Sequence, residues 1–173
     1  MKLIEYDGVE FKIADEALLV RPIRELFQKD KSKKKEEFWK QISYLWFMCD
    51  PRSTYMYLVN EQERAKEIKK QEGLGDDWEP SELLVDAMNI YRSQTITTSA
   101  ILLEGMRKGI DKLSAFLGET SFSEKTVASM TSALKQIPEL AKALSDAERA
   151  LAKDFATEDN ARGTAIKAVG EDI

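Results

Sequence analysis

Two runs of apolar residues in the second half of the chain repeat every three or four positions, and a short link separates them. The first run contains Leu103, Met106, Ile110, Leu113, Phe116 and Leu117, and the second contains Val127, Met130, Leu134, Ile137, Leu140, Leu144, Ala147, Leu151 and Phe155. This spacing places each run on one side of an α-helix. Because only residues 118–123 join the two runs, the sequence predicts an antiparallel helical hairpin with a near-heptad seam.

Polar and β-branched residues interrupt the first of these helices. The helix is predicted to begin at Pro80 and Ser81 and to reach roughly Leu117. Residues 92–99 are its poorest helix formers, because β-branched side chains lose rotamer freedom and Ser competes for backbone hydrogen bonds. We therefore expect a kink, a break or a partner-facing groove there, and the interface candidates are Arg92, Gln94, Thr95, Thr97 and Thr98.

The N-terminal residues have the pattern of a β-hairpin. Short apolar, β-prone runs lie on both sides of Asp7-Gly8, and this dipeptide favours a two-residue type I′ turn. An isolated hairpin is only marginally stable in water, so it must pack on the helical body or pair with a strand of another chain. The residues of this hairpin that we consider interface candidates are Tyr6, Asp7, Gly8 and Val9.

An aromatic segment, residues 38–49, is the densest apolar feature of the chain. Residues 44–49 are apolar on every side of a helix, which predicts a segment enclosed all round. Asp50-Pro51-Arg52-Ser53 then ends the helix, since Pro51 disfavours helical backbone at Asp50 and suits the second position of a type I turn. We interpret the segment mainly as core and partly as a partner-binding anchor, because Trp, Tyr and Arg dominate interface hot spots.

Composition agrees with a helical fold, since 8 Gly and 4 Pro are few for 173 residues and charged residues reach 33%. The predicted fold class is mainly α: a helical bundle with a long C-terminal helical hairpin and a small N-terminal β-hairpin. The predicted organisation is an N-terminal arm (1–14), a helical domain (15–157) and a weakly ordered C-terminal tail (158–173). In that tail Ile166 and Val169 are further interface candidates.

The sequence offers little for catalysis. It has no histidine, the commonest general base and zinc ligand. Gly73-Leu74-Gly75 lacks the third glycine of a dinucleotide fingerprint and is interpreted as a turn, the clearest internal boundary. Residues 76–79 lack the ligand spacing of a calcium loop. We therefore predict no enzyme activity, no cofactor and no metal, although a carboxylate pair brought together by the fold stays open as an alternative.

Charge and cysteine content restrict the partners. The net charge of −5 disfavours nucleic acid, and Lys29, Lys31, Lys33, Lys34 and Lys35 form the one local basic patch. Acidic neighbours dilute this patch, so direct nucleic-acid binding is disfavoured. No apolar stretch is long enough to span a membrane, and the N-terminus lacks a signal-peptide pattern. The single Cys49 fits a reducing compartment, so we expect the protein in the cytoplasm or in an assembly formed there.

Residues 38–55, an aromatic helix followed by Asp-Pro-Arg-Ser, resemble a segment found in small helical structural proteins of tailed bacteriophages. The resemblance covers about a tenth of the chain. It implies a virion structural protein, assembled in the host cytoplasm, that acts as a head-to-tail connector or ring adaptor near the portal. The implied partners are further copies of the chain in a ring, the portal, and neighbouring head or tail proteins. The alternative is a cytoplasmic helical binding or scaffolding module that acts as a dimeric regulator or assembly chaperone.

Overall fold

The computed structural model describes residues 3–121, 123 and 125–170, with side chains described up to Thr157. In this part of the chain, two short strands precede six α-helices, so the predicted mainly α fold with an N-terminal hairpin and a long C-terminal helical hairpin is confirmed. Residues 1–96 and 97–173 form two compact units. This division differs from the predicted arm, helical domain and tail.

The N-terminal hairpin consists of β1 (Ile4–Tyr6) and β2 (Phe11–Ile13), which pair antiparallel with Tyr6 opposite Phe11. The turn therefore has four residues, and the predicted two-residue type I′ turn at Asp7-Gly8 is wrong. The Asp7 carboxylate accepts hydrogen bonds from the backbone N–H of Val9 (3.0 Å) and of Glu10 (2.8 Å). This Asx turn, with Gly8 at a φ of 98°, closes the longer loop.

The first unit is built around one aromatic helix. After a 3-10 helix (Asp15–Leu19), α1 (Arg21–Lys29) has Pro22 in its first turn. The next helix, α2 (Glu36–Cys49), is buried at every position from Tyr44 to Cys49, which confirms the predicted enclosed segment. Leu3 and Ile4 of the hairpin are fully buried in the same core. The N-terminal hairpin is thus part of the first unit's core.

Polar side chains fix the segments around α2. Its N-terminus is held by the Asp30 carboxylate, which accepts from the backbone N–H of Phe38 at 3.0 Å. Its C-terminus leads into a second 3-10 helix (Thr54–Tyr57) and α3 (Glu61–Gln71), whose cap is Asn60. Arg64, only 5% exposed, donates from α3 to the carbonyl oxygens of Leu58 (2.7 Å) and Met48 (3.3 Å). The bond to Met48 satisfies a carbonyl group in the last turn of α2, which has no partner within that helix.

The predicted break between residues 92 and 99 is present. One helix, α4 (Glu82–Thr95), ends there, and α5 (Thr98–Glu119) begins with the Thr97 side chain accepting from the N–H of Ala100 at 3.1 Å. The boundary between the two units falls at this break. By contrast, Gly73 and Gly75, which the sequence marks as the clearest boundary, lie in a loop inside the first unit.

The second unit consists of α5 and α6 (Val127–Gly170), packed against each other as the predicted hairpin. Pro138 lies inside α6. The backbone of α6 is helical through residues 158–170, where the sequence predicts a weakly ordered tail. The side chains of the interface candidates Ile166 and Val169 lie outside the described part.

Candidate protein-interaction site

The candidates in the N-terminal hairpin mostly serve the fold of the first unit. Tyr6 stacks on Phe11 with ring centroids 4.4 Å apart and contacts Trp46 at 5.0 Å. Asp7 and Gly8 form the turn. Val9 is 86% exposed, so it is the candidate in this group whose apolar side chain projects from the surface.

The candidates at the break have mostly local contacts. Thr95 is buried and donates to the carbonyl of Tyr91 at 3.0 Å. Arg92 pairs with Glu61 across 3.3 Å, and Thr97 caps α5. Gln94 and Thr98 are exposed, but they lie on different units. The structure therefore gives most of these residues local roles in holding the two helix ends.

The Asp-Pro-Arg-Ser turn forms a buried ionic cluster. Asp50 is fully buried and accepts two hydrogen bonds from the Arg52 guanidinium, at 2.8 and 2.7 Å. The Tyr91 hydroxyl donates to the same carboxylate at 2.6 Å, and burial, followed by the charge of Asp50, raises the pKa of that hydroxyl. Arg52 also donates to the carbonyl of Ile4 at 3.5 Å. The motif that carries the resemblance thus connects α2, α4 and the β-hairpin.

The surface that the sequence did not identify belongs to the second unit. Five apolar side chains are buried in its described part: Ala100, Leu103, Met130, Ala147 and Leu151. Six large apolar side chains remain 39–56% exposed: Ile101, Leu102, Phe116, Val127, Leu134 and Ile137. Four of these six were predicted to lie in the seam between the helices. The available signal was the adjacent triplet Ile101, Leu102 and Leu103, since a single seam cannot bury three consecutive helical residues.

Cys49 is a structural side chain. It is 6% exposed, and burial raises the pKa of its thiol to about 11. Because the ordinary value is 9.0, the reactive thiolate fraction below pH 9 falls about 100-fold. A cysteine that acts as an activated nucleophile needs a lowered thiol pKa.

We therefore predict that a thiol reagent labels Cys49 in the folded protein at least about 100-fold more slowly than in the urea-unfolded protein at the same pH. Labelling of the folded protein should accelerate as the pH rises toward 11. The measurement is the labelling rate followed by absorbance. Equal rates in the folded and unfolded protein would contradict the buried, protonated thiol.

The described residues also contain a pocket and the lysine patch. A pocket of about 380 Å³ is lined by Tyr57, Leu58, Glu63, Lys66, Glu67, Lys70 and Asp76, so its charges are mixed. No group of three or more His, Cys, Asp or Glu side chains in the described chain is placed to hold a metal. In the lysine patch, Lys35 Nζ donates to the backbone carbonyl of Phe27 at 3.1 Å. The same atom lies 4.5 Å from the centroid of the Phe27 ring.

No helix in the described part of the chain is long and apolar enough to cross a membrane. No protein-family model, curated protein or solved structure matches the chain.

Proposed function

We propose that this protein is a non-enzymatic assembly protein whose α5–α6 hairpin packs against further protein subunits in an oligomer. The observation that carries the proposal is that the described part of the second unit buries five apolar side chains and leaves six large ones about half exposed. Helices bury an apolar side only against another layer, and two helices offer each other one side each. Apolar patches of this kind mark interaction surfaces.

The energetic gain from completing this burial is substantial. Fully burying a large apolar side chain contributes about 1.5–3 kcal/mol, so burying the exposed half of six contributes on the order of 5 kcal/mol per chain. That amount is comparable to the whole stability of a small domain.

The resemblance of residues 38–55 extends the proposal to a tailed-phage virion, with this chain as a head-to-tail connector or ring adaptor near the portal. An oligomer that closes through one repeated contact suits such a ring. The cytoplasmic alternative, a dimeric regulator or assembly chaperone, uses the same surface. The two are distinguished by whether purified particles contain the chain at fixed stoichiometry, measured by mass spectrometry.

The direct test of oligomerisation is light scattering coupled to size-exclusion chromatography over a range of concentrations. We expect a mass that is a multiple of the 19.7 kDa chain. A mass that stays at 19.7 kDa at every concentration, both alone and with virion partners, would refute the proposal.

A further inference from the structure

The lysine patch lies where α1 ends and in the link to α2. Lys35 is held against the protein, because its Nζ atom donates to the backbone carbonyls of Phe27 and Asp30. The other four side chains, the outer lysines, are all exposed: Lys29, Lys31, Lys33 and Lys34. Their ammonium groups make no salt bridge or hydrogen bond with any other described residue. Four positive charges therefore lie close together on the surface of the first unit.

The acidic residues around the patch have other contacts. Glu25 pairs with Arg21 at 2.7 Å, and Glu37 accepts a hydrogen bond from the side chain of Gln41 at 3.3 Å. Glu36 is exposed beside the patch. The sequence disfavours nucleic acid because acidic neighbours dilute the lysines, but in the fold none of these carboxylates lies within 4 Å of an outer lysine in the described part of the chain.

The backbone that carries the outer lysines is fixed at several points. The Asp30 carboxylate accepts from the backbone N–H groups of Ser32 (2.8 Å) and Phe38 (3.0 Å). The Ser32 hydroxyl accepts from the N–H of Glu36 at 3.2 Å. Lys35 leads into α2 with left-handed backbone at a φ of 54°. A link held in this way presents its lysines as a set and loses little backbone entropy when a partner binds.

The charge of the chain is unevenly distributed. Residues 21–35 hold seven Lys or Arg residues and two acidic ones, so this segment carries +5. Because the whole chain carries −5, the other residues together carry −10. At ~0.1 M salt, charges more than about 10 Å apart are largely screened from each other. An anion in contact with the outer lysines is therefore attracted by them more strongly than it is repelled by distant carboxylates.

The surface around the outer lysines is polar throughout. Every exposed side chain between residues 21 and 35 is Arg, Lys, Gln or Ser. Protein interfaces have an apolar centre, and helices that bind membrane surfaces insert apolar side chains. Contacts to the backbone of DNA come from the residue types present here. Lysine is a point charge without the planar fork of arginine, so it suits phosphate groups more than base edges.

The aromatic side chain nearest to this link in the sequence is unsuited to stacking on bases. Trp39 is half-buried and packs edge-on against Phe38, with ring centroids 5.3 Å apart. Proteins that bind single strands stack bases on exposed aromatic rings. Duplex DNA needs no such ring and has one negative charge per about 1.7 Å of its axis. The patch therefore fits a duplex better than a single strand.

We propose that the outer lysines bind the phosphate backbone of double-stranded DNA without regard to its sequence. This inference goes beyond the assembly role and does not depend on it, because the patch belongs to the first unit. Binding through phosphate contacts alone is weak, with dissociation constants of about 10⁻⁴ to 10⁻⁶ M, and it depends strongly on salt.

The test measures binding of a short fluorescein-labelled DNA duplex to the full-length protein by fluorescence anisotropy, from about 50 to 200 mM salt. Each phosphate contact releases about 0.9 counterion, so four lysines predict a slope of about −3 to −4 for log K against log salt. Duplexes of different sequence should bind equally.

The first variant removes the patch by four substitutions: Lys29→Gln, Lys31→Gln, Lys33→Gln and Lys34→Gln. We expect the affinity for the duplex at ~100 mM salt to fall at least about tenfold and the salt slope to approach zero. The ammonium groups bond to no other described residue, so the fold should be kept. Circular dichroism checks this.

The matched control removes four exposed lysines of the second unit: Lys112→Gln, Lys135→Gln, Lys142→Gln and Lys153→Gln. Both variants change the net charge by the same amount. We expect the control to bind the duplex as the wild type does. An equal loss of affinity in both variants would show that the overall charge acts and would overturn the assignment to the patch.

Three further results would overturn the inference. They are a wild-type chain that binds no duplex at the lowest salt, tighter binding of a single strand of the same length, and equally tight binding of phosphatidylserine vesicles or polyglutamate. The outcome is independent of the oligomer test. An oligomer that binds no duplex refutes only this inference, and a monomer that binds the duplex refutes only the proposed function.

Discussion

Replacing Asp50 with alanine is expected to lower the free energy of unfolding of the first unit by about 3–5 kcal/mol. The carboxylate is fully buried, and it accepts hydrogen bonds from the guanidinium and backbone N–H of Arg52 and from the hydroxyl of Tyr91. Without this carboxylate, the Arg52 guanidinium loses its acidic partner in the cluster. The Arg52 side chain is only 26% exposed, so water replaces that partner poorly. The Tyr91 hydroxyl also loses its acceptor. Breaking a buried pair in this way costs more than the pair itself contributes.

The change is measured by urea unfolding followed by tryptophan fluorescence. All three tryptophans, Trp39, Trp46 and Trp78, belong to the first unit, so this signal reports on that unit alone. Asp86→Ala is the control, because Asp86 is exposed on the same helix, α4, as Tyr91. If the two variants unfold at the same urea concentration, the Asp50 cluster does not stabilise the unit.

Replacing Leu103 with aspartate is expected to unfold the helical hairpin while the first unit stays folded. Leu103 is 3% exposed and packs in the small cluster of Ala100, Ala147 and Leu151. The substitution removes apolar contacts and places a carboxylate there, at a cost of about 4 kcal/mol or more. A two-helix unit that buries so few side chains is not stable enough to stay folded after losing this much free energy of unfolding.

Circular dichroism and tryptophan fluorescence report differently on the two units of this variant. The helices α5 and α6 hold 22 and 44 residues, more than the four helices of the first unit together. Far-ultraviolet circular dichroism should therefore lose more than half of its helical signal, while tryptophan fluorescence stays native. Ala115→Asp, at an exposed position of α5, is the control and should keep both signals. A Leu103→Asp variant with unchanged dichroism would show that this cluster does not hold the hairpin together.

The elements that the sequence predicted correctly depend on local patterns. The aromatic helix, the break between α4 and α5 and the helical hairpin follow from spacing and from the helix preference of a few neighbouring residues. The N-terminal turn was predicted wrongly, although it is also local. Asp-Gly favours a two-residue turn, but the Asp7 carboxylate binds two backbone N–H groups and stabilises a four-residue loop.

The features that the sequence did not reveal depend on distant partners. The burial of Asp50 requires Tyr91, 41 residues away, and the burial of Arg64 requires the carbonyl of Met48. The exposure of Leu134 and Ile137 depends on how far around α6 the seam extends. A 3–4 spacing shows that residues share a side of a helix, but it does not show how many sides are covered.

The ionic cluster also sets an order for folding. The carbonyl of Ile4 receives its bond from Arg52, 48 residues later, and the Asp50 carboxylate meets Tyr91 only after α4 has been made. Such separated contacts close slowly, because chain entropy must be lost before they form. The α5–α6 hairpin pairs neighbouring helices and closes quickly. During synthesis the bond between Arg52 and the Ile4 carbonyl therefore forms only after the 48 residues that separate them have been made.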